Sequence, residues 1–244
     1  MDNAAKLVVY QAQVQNVRSV QVALKQISRL INCSLRHNDS TQTEHLTKIY
    51  ALMFCTWAEA NFLKVIHTPH GLELDELEQI KASKRTSIVS GWKKAIELGL
   101  RHLDANRGSF KPNARKKLEE LVDSHVFDPS LLRNKLAHGQ WLVALNRDND
   151  AVNAKLTAEI GSLDVVKIAS WIEIHRLLSG VVETLLESPK KAFVRDWYEY
   201  AVELGDKMDD AELRTLADHV AILKTKDARS GAASKARNSG SPSI

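Results

Sequence analysis

Cysteine is almost missing from this chain: Cys33 and Cys55 are the only two in 244 residues, and no Cys-x-x-Cys pair occurs. Their isolation excludes a disulfide framework or a ribbon-type zinc site, and both are read as core thiols in a reducing cytoplasm. No run of 18 or more apolar residues is present, so no membrane span is expected. The start, Met-Asp-Asn-Ala-Ala, has neither the basic opening nor the apolar centre of a secretion signal. Also lacking are internal repeats, a Gly-rich phosphate loop, a His-Glu-x-x-His helix and a nucleophile elbow. These absences remove the commonest nucleotide-hydrolysing, metalloprotease and α/β-hydrolase readings.

Alternating strand patterns are missing too. Apolar periodicity is helical nearly throughout, which makes the chain all-α: a multi-helix bundle over residues 1–223 with additional carboxy-terminal helices and a flexible basic tail at 224–244. Tyr10, Val17, Val20, Leu24, Ile27 and Ile31 recur at heptad-like steps and predict a long first helix reaching about Leu35. The cluster Asn38-Asp39-Ser40-Thr41 ends it and caps a second helix, about 42–66, apolar nearly all round and therefore central. An acidic stretch from Glu73 to Lys81 leads into a basic helix at Ser83–Leu103, followed by a helix at about 113–125. Trp141–Leu145 reads either as a helix extension or as a short strand before a polar turn at Asn146–Asn149. The steps Trp171, Ile174, Leu178, Val181 and Leu185 predict an amphipathic helix over Leu163–Leu186, and two more helices follow near 190–204 and 209–224. Residues 227–244 hold one large apolar side chain and cannot offset their own ordering entropy, so they are expected to be disordered.

The net charge of +4 conceals a strong asymmetry. Residues 81–117 carry 11 Lys and Arg against 2 Asp and Glu, whereas residues 118–223 carry 11 against 19. The basic block has two readings. It is a phosphate-binding surface in which Lys84, Arg85, Lys93, Lys94, Lys116 and Lys117 contact RNA, or it is a solvated face that pairs with the acidic half.

Immediately after that block lies Asp128-Pro-Ser-Leu-Leu-Arg-Asn-Lys-Leu-Ala-His-Gly139. Asp128 suits an N-cap, Pro129 a first helical turn, and Gly139 the left-handed position beyond a helix end. The segment therefore predicts a helix of about 129–138 with His138 at its carboxyl end, where the helix dipole favours a cation. With 14 Arg and 9 His in the chain, the Arg-x4-His spacing alone carries little weight. A second copy, Arg214-Thr-Leu-Ala-Asp-His219, lacks the Asn, the cap and the terminal Gly and is read as coincidence.

Arg133-Asn134-Lys135-Leu136-Ala137-His138-Gly139 resembles the signature of HEPN domains, all-helical modules of many RNA-cleaving toxins and antiviral effectors. The resemblance covers seven residues. It implies Arg133, Asn134 and His138 as catalytic residues, with two motifs meeting across a homodimer and acting without a metal or other cofactor. It further implies a toxin–antitoxin or antiphage setting, with an antitoxin or regulatory protein as partner.

Residue chemistry points the same way. RNA carries its own nucleophile, the 2′-hydroxyl, beside each scissile phosphate. His138 can serve as base or acid, and Arg133 offers a fork matched to phosphate oxygens. One histidine cannot be base and acid at once, so a two-fold dimer would supply both. Residues four apart share a helix face, which lets Asn134 orient the imidazole or touch the phosphate. Glu59 falls on the apolar line Leu52, Cys55, Glu59, Phe62, Ile66; it either pairs with Arg133 or a histidine, or reaches water at the margin. His102, His125 and His175 are read as surface or interhelical residues. The expected function is a metal-independent endoribonuclease; the alternative is a catalytically silent helical scaffold that binds a protein or RNA.

Overall fold

The computed structural model describes residues 2–104 and 108–226. All regular structure among them is helical, so the chain is all-α. The first helix, α1 (Asn3–Arg36), opens on Asp2, whose side chain accepts from the Ala5 amide at 2.7 Å. It turns back through Asn38, which takes the left-handed conformation (φ 55°) that asparagine tolerates. Asp39 then caps α2 (Ser40–Ile66), accepting from the Gln42 amide. Val17, Val20, Leu24, Ile27 and Ile31 zip α1 along α2, as their spacing predicts. At the far end the buried Lys6 ammonium donates to the Leu72 carbonyl at 2.6 Å and pins the start of α1 to the loop beyond α2.

The acidic stretch is a helix of its own, α3 (Leu74–Thr86), opened by a capping box between Glu73 and Glu76. The expected single basic helix is broken at Ser87, where extended backbone (φ −164°) and a side chain accepting from the Ser90 amide start α4 (Ile88–Arg101). Gly91 makes the tight α3–α4 turn workable: a Cβ there would meet the Phe62 ring at 3.0 Å and the Lys84 Cβ at 3.1 Å. Gly99 does the same against the long eighth helix, where a Cβ would meet Leu185 at 2.8 Å.

The segment leading to the motif departs from expectation. Helix α5 (Phe110–Val122) runs through a π-helical turn (Asp123–Phe127) straight into α6 (Asp128–Ala137). Asp128 is therefore not an N-cap: its backbone is helical (φ −58°, ψ −49°). The cause is Pro129, which has no N–H to give the carbonyl four residues back and whose ring crowds that carbonyl; a widened turn accommodates both. Helix α6 ends as expected, with Gly139 at φ +77°.

Residues 140–153 form neither a helix extension nor a strand. Gln140 accepts from the Leu145 amide, the Trp141 indole donates to the Leu136 carbonyl at 2.9 Å, and a single bridge joins Leu145 to Val152. Helix α7 (Ala154–Gly161), not anticipated, packs beside α6 and leads to α8 (Val165–Glu187). A π turn at Pro189–Phe193 precedes α9 (Val194–Leu213), which continues through Gly205 where a break between two helices was expected. Residues 216–226 are helical again, so the first positions of the expected tail are ordered structure. The remainder, 227–244, lies outside the described residues.

Among the described residues, two hydrophobic clusters hold the bundle. One joins Tyr50, Phe54 and Trp57 of α2 to Leu24 and Ile31 of α1, Leu132 and Leu136 of α6, and Ile168 of α8. The other joins Phe62 and Ile66 of α2 to Trp92 and Ile96 of α4, Leu118 of α5, Leu178 and Leu185 of α8, and Trp197 of α9. Helices α2 and α8 run through both. By length and composition α2 could span a membrane, with a mean hydropathy of 1.2 over 18 residues; here its apolar residues pack against α1, α4, α6 and α8.

Candidate functional site

Arg133 leaves α6 toward α2. Its guanidinium donates to Glu59 Oε2 at 3.3 Å and to its neighbour Asn134 Oδ1 at 3.1 Å. The other oxygen of Glu59 accepts from Lys84 Nζ at 2.8 Å. Three helices thus bring two cations onto one carboxylate, leaving an excess of one positive charge. The Lys84 hydrogen bond is the main influence holding the Glu59 carboxyl below its usual pKa; the charges of Lys84 and Arg133 add to it, against partial desolvation. Both sequence readings of Glu59 hold together: it pairs with Arg133, and its side chain is still 40% exposed. Pairs this exposed contribute typically under about 1 kcal/mol, so the cluster places charge more than it stabilises the fold.

This triad stands at the mouth of a cavity of about 320 Å³ between α2, α3, α4, the π turn, α6 and α8. Phe54, Ala58, Ile88, Trp92, Val126, His125 and His175 line its interior, and Thr86, Ser87, Ser130 and Asn134 join the charged groups around it. The thiol of Cys55 lies behind the Pro129 carbonyl at 3.6 Å, and burial pushes its pKa up to about 12, which leaves it protonated and inert. Cys33, expected in the core, is exposed on α1 instead.

His138 is placed differently. It is the residue on which α6 ends, its amide donating to the Asn134 and Lys135 carbonyls and its side chain exposed. It does not line the cavity. Asn134, expected either to orient the imidazole or to touch the phosphate, accepts from Arg133 and so orients the guanidinium. A single copy of the chain therefore presents Arg133 and His138 on one short helix but not around one cavity.

The basic block divides on inspection. Lys84 belongs to the triad. Lys93 pairs with Asp123 at 2.7 Å, Lys94 with Glu97 at 3.2 Å, and Lys116 lies 4.0 Å from Glu120. Arg85 and Lys117 have no carboxylate within ion-pair distance among the described residues. The compensating acids sit one turn away or on an adjoining element, and two of them, Glu120 and Asp123, belong to the opening stretch of the acidic half.

No protein-family model, curated protein or solved structure matches the chain significantly. The HEPN resemblance thus stands on the motif residues alone.

The histidines set aside as structural divide as well. His102 reaches Glu76 at 2.9 Å and ties α4 to α3 on the surface. His125 and His175 instead complete the cavity wall. His175 is 1% exposed. Burial drives its pKa down to about 4, a pull that the Ala58 backbone offsets only in part, and His125 is lowered by burial too. The signal in the sequence is faint: His175 sits on the buried face of its helix between Ile174 and Leu178, and His125 lies four residues before a proline. Among the described residues, no group of three or more His, Cys, Asp or Glu is arranged to hold a metal ion.

Proposed function

We propose that this chain is a metal-independent endoribonuclease, assembled as a homodimer around two copies of Arg133 and His138. It would work in the cytoplasm as a toxin or antiphage effector restrained by a partner protein. One placement carries this reading: Arg133 is oriented by Asn134 at the mouth of a cation-rimmed cavity, while His138 is exposed at the helix end fixed by Gly139.

In the reaction, one His138 takes the proton from a ribose 2′-hydroxyl, and that oxygen attacks the adjacent phosphorus. The bond from phosphorus to the 5′-oxygen breaks, and the His138 of a second copy protonates the departing oxygen. Arg133 binds the non-bridging oxygens, on which negative charge accumulates. The dimer follows from the count of groups, because one histidine cannot fill both roles at once. Apolar side chains flank the motif along the chain: Phe127 before it, and Leu142 and Val143 after it, are all exposed. Such surface suits a self-complementary two-fold contact.

The commitment of Arg133 to Glu59 favours a second reading, a silent scaffold in which this ion pair merely joins α6 to α2. Cleavage chemistry separates the two. The enzyme cuts single-stranded RNA in excess EDTA, leaves 2′,3′-cyclic phosphate ends and spares DNA and 2′-O-methyl RNA. RNA bound but never cut by the purified dimer selects the scaffold, and activity that EDTA removes and magnesium restores rejects the mechanism.

A further inference from the structure

The interior of the cavity beside Arg133 plays no part in the cleavage chemistry above. Its 320 Å³ is at the low end of ligand sites, which run from about 300 to 1,000 Å³; that is room for one ring system. Phe54, Trp92 and Ile88 are among its apolar lining residues, the two aromatic rings almost wholly buried. Its polar lining is His125, His175 and the Trp92 indole. The His125 nitrogens and the indole N–H have no hydrogen-bond partner among the described residues, and the His175 ring has none of good geometry, the Ala58 backbone being the one polar group that acts on it. The His175 ring is held among Phe54, Trp57 and Trp92, with centroids 5.9, 5.4 and 5.6 Å away. Buried polar groups are nearly always paired, and leaving them unpaired costs stability. A neutral imidazole offers one donor and one acceptor. Hydrogen-bonding atoms of both kinds therefore lie buried around the cavity, among aromatic rings, with the cations of Arg133 and Lys84 at its mouth.

Building on the ribonuclease reading, we propose that this cavity is a base pocket that receives one unstacked nucleobase of the RNA beside the phosphate held by Arg133. The base lies against Trp92 and Phe54, its polar edge meets His125 and His175, and its phosphate meets Arg133 and Lys84. Unpaired bases are the ones that can be splayed out, stacked on aromatic rings and read along their edges, so the pocket selects single-stranded RNA and favours particular bases at one position next to the cut. A free mononucleotide carries the same base-and-phosphate chemistry and is the other source of such a ligand.

The test uses the full-length chain and uncleavable 2′-O-methyl homotrinucleotides of adenosine, cytidine, guanosine and uridine, with an abasic trinucleotide as control. Binding is read by tryptophan fluorescence and by the imidazole chemical shifts of His125 and His175. At least one base binds about tenfold or more tightly than the abasic probe, as stacking plus edge contacts require, and shifts both imidazoles. Ala58→Leu, which fills the cavity from α2 and leaves every charged group in place, removes that preference. His125→Phe keeps the ring shape without its nitrogens, weakens the preference, and decides the matter if Ala58→Leu does not fold. Equal binding of all five probes with unmoved imidazoles overturns the pocket. Preferred-base 5′-monophosphate that binds as tightly as its trinucleotide overturns the RNA assignment in favour of a free nucleotide. RNA cleavage is scored separately: base-dependent binding without cleavage discards the ribonuclease and keeps the pocket, and cleavage without base dependence does the reverse.

Discussion

The chain carries Arg-x4-His twice, and the two copies have different fates. Arg133 and His138 share a single helix, with His138 on its last turn and exposed. Arg214 and His219 straddle a helix break: Arg214 ends α9, and Thr215 caps the next helical stretch by accepting from the Asp218 amide. Arg214 donates to Glu173 of α8 and Asp210 of α9, and His219 reaches Asn32 of α1 at 2.8 Å. Both residues of the second copy tie helices together. In the first copy the arginine reaches a cavity and the histidine faces solvent. Spacing is the same in both; what differs is where the helix is interrupted, after the histidine at Gly139 in the first copy and between the two residues at Thr215 in the second.

The largest contrast expected between the copies is in activity. His138→Ala lowers RNA cleavage by about 10²- to 10⁴-fold, the usual contribution of a general acid or base, while His219→Ala leaves the rate within about twofold. A gel assay on single-stranded RNA at equal protein concentration decides it, and equal losses in both variants would erase the distinction.

The next contrast is in stability against pH, with His175 as the limiting case of a packed histidine. Its folded-state pKa of about 4 lies below the unfolded value. The unfolded chain therefore binds a proton that the native chain refuses. Stability is complete above about pH 6.5 and declines toward pH 4, by roughly 3 kcal/mol in all at 1.36 kcal/mol per unit. Denaturant melts at successive pH values show this acid limb, and His175→Phe flattens it. An unchanged limb in that variant would place the responsible proton elsewhere.

Smaller effects sharpen the comparison further. Removing the His219–Asn32 contact with His219→Ala lowers stability by about 1 kcal/mol, while His138→Ala, on the surface, stays within about 0.5 kcal/mol of wild type. The least effect is electrostatic. Glu59→Gln frees one cation at the cavity mouth and steepens the dependence of RNA affinity on salt by about 0.7 in logarithmic slope, the value for one extra phosphate on a single strand. Glu173→Gln beside Arg214 leaves the slope as it was.

Long helices with a continuous apolar stripe were readable from residue order: α1, α2 and α8 lie within a few positions of their expected bounds. Where a helix buries little or bends without stopping, the pattern misleads. Helix α3 buries only Leu77 and Ile80 and reads as a polar connector. Pro129 reads as the start of a new helix because the π turn that absorbs it has no signature in composition. Gly205 reads as a break, although α9 carries it at a position with open space around it. At the site, the motif and Glu59 were visible because they obey local spacing. The partnership of Lys84 with Glu59 was hidden, since it depends on the turn at Ser87 and the close packing at Gly91. His125 and His175 were hidden for a related reason: a histidine on an apolar face looks the same whether it meets a leucine or a cavity.

The cavity lies on the seam between the two hydrophobic clusters, with Phe54 from one and Trp92 and Val126 from the other forming its walls. Among the described residues, only α2 and α8 cross that seam as continuous rods through both cores, so they act as splints for two halves that otherwise meet around an opening. Shear between the halves would change the width of the cavity before it disturbed either core. A molecule seated there would act as a wedge that locks the splints, slowing amide hydrogen exchange along the middle of α2 and α8 more than at their ends. The end of α6, where His138 sits, rests on one half and Trp92 on the other, so the width of this gap also sets how far the motif stands from the wall opposite.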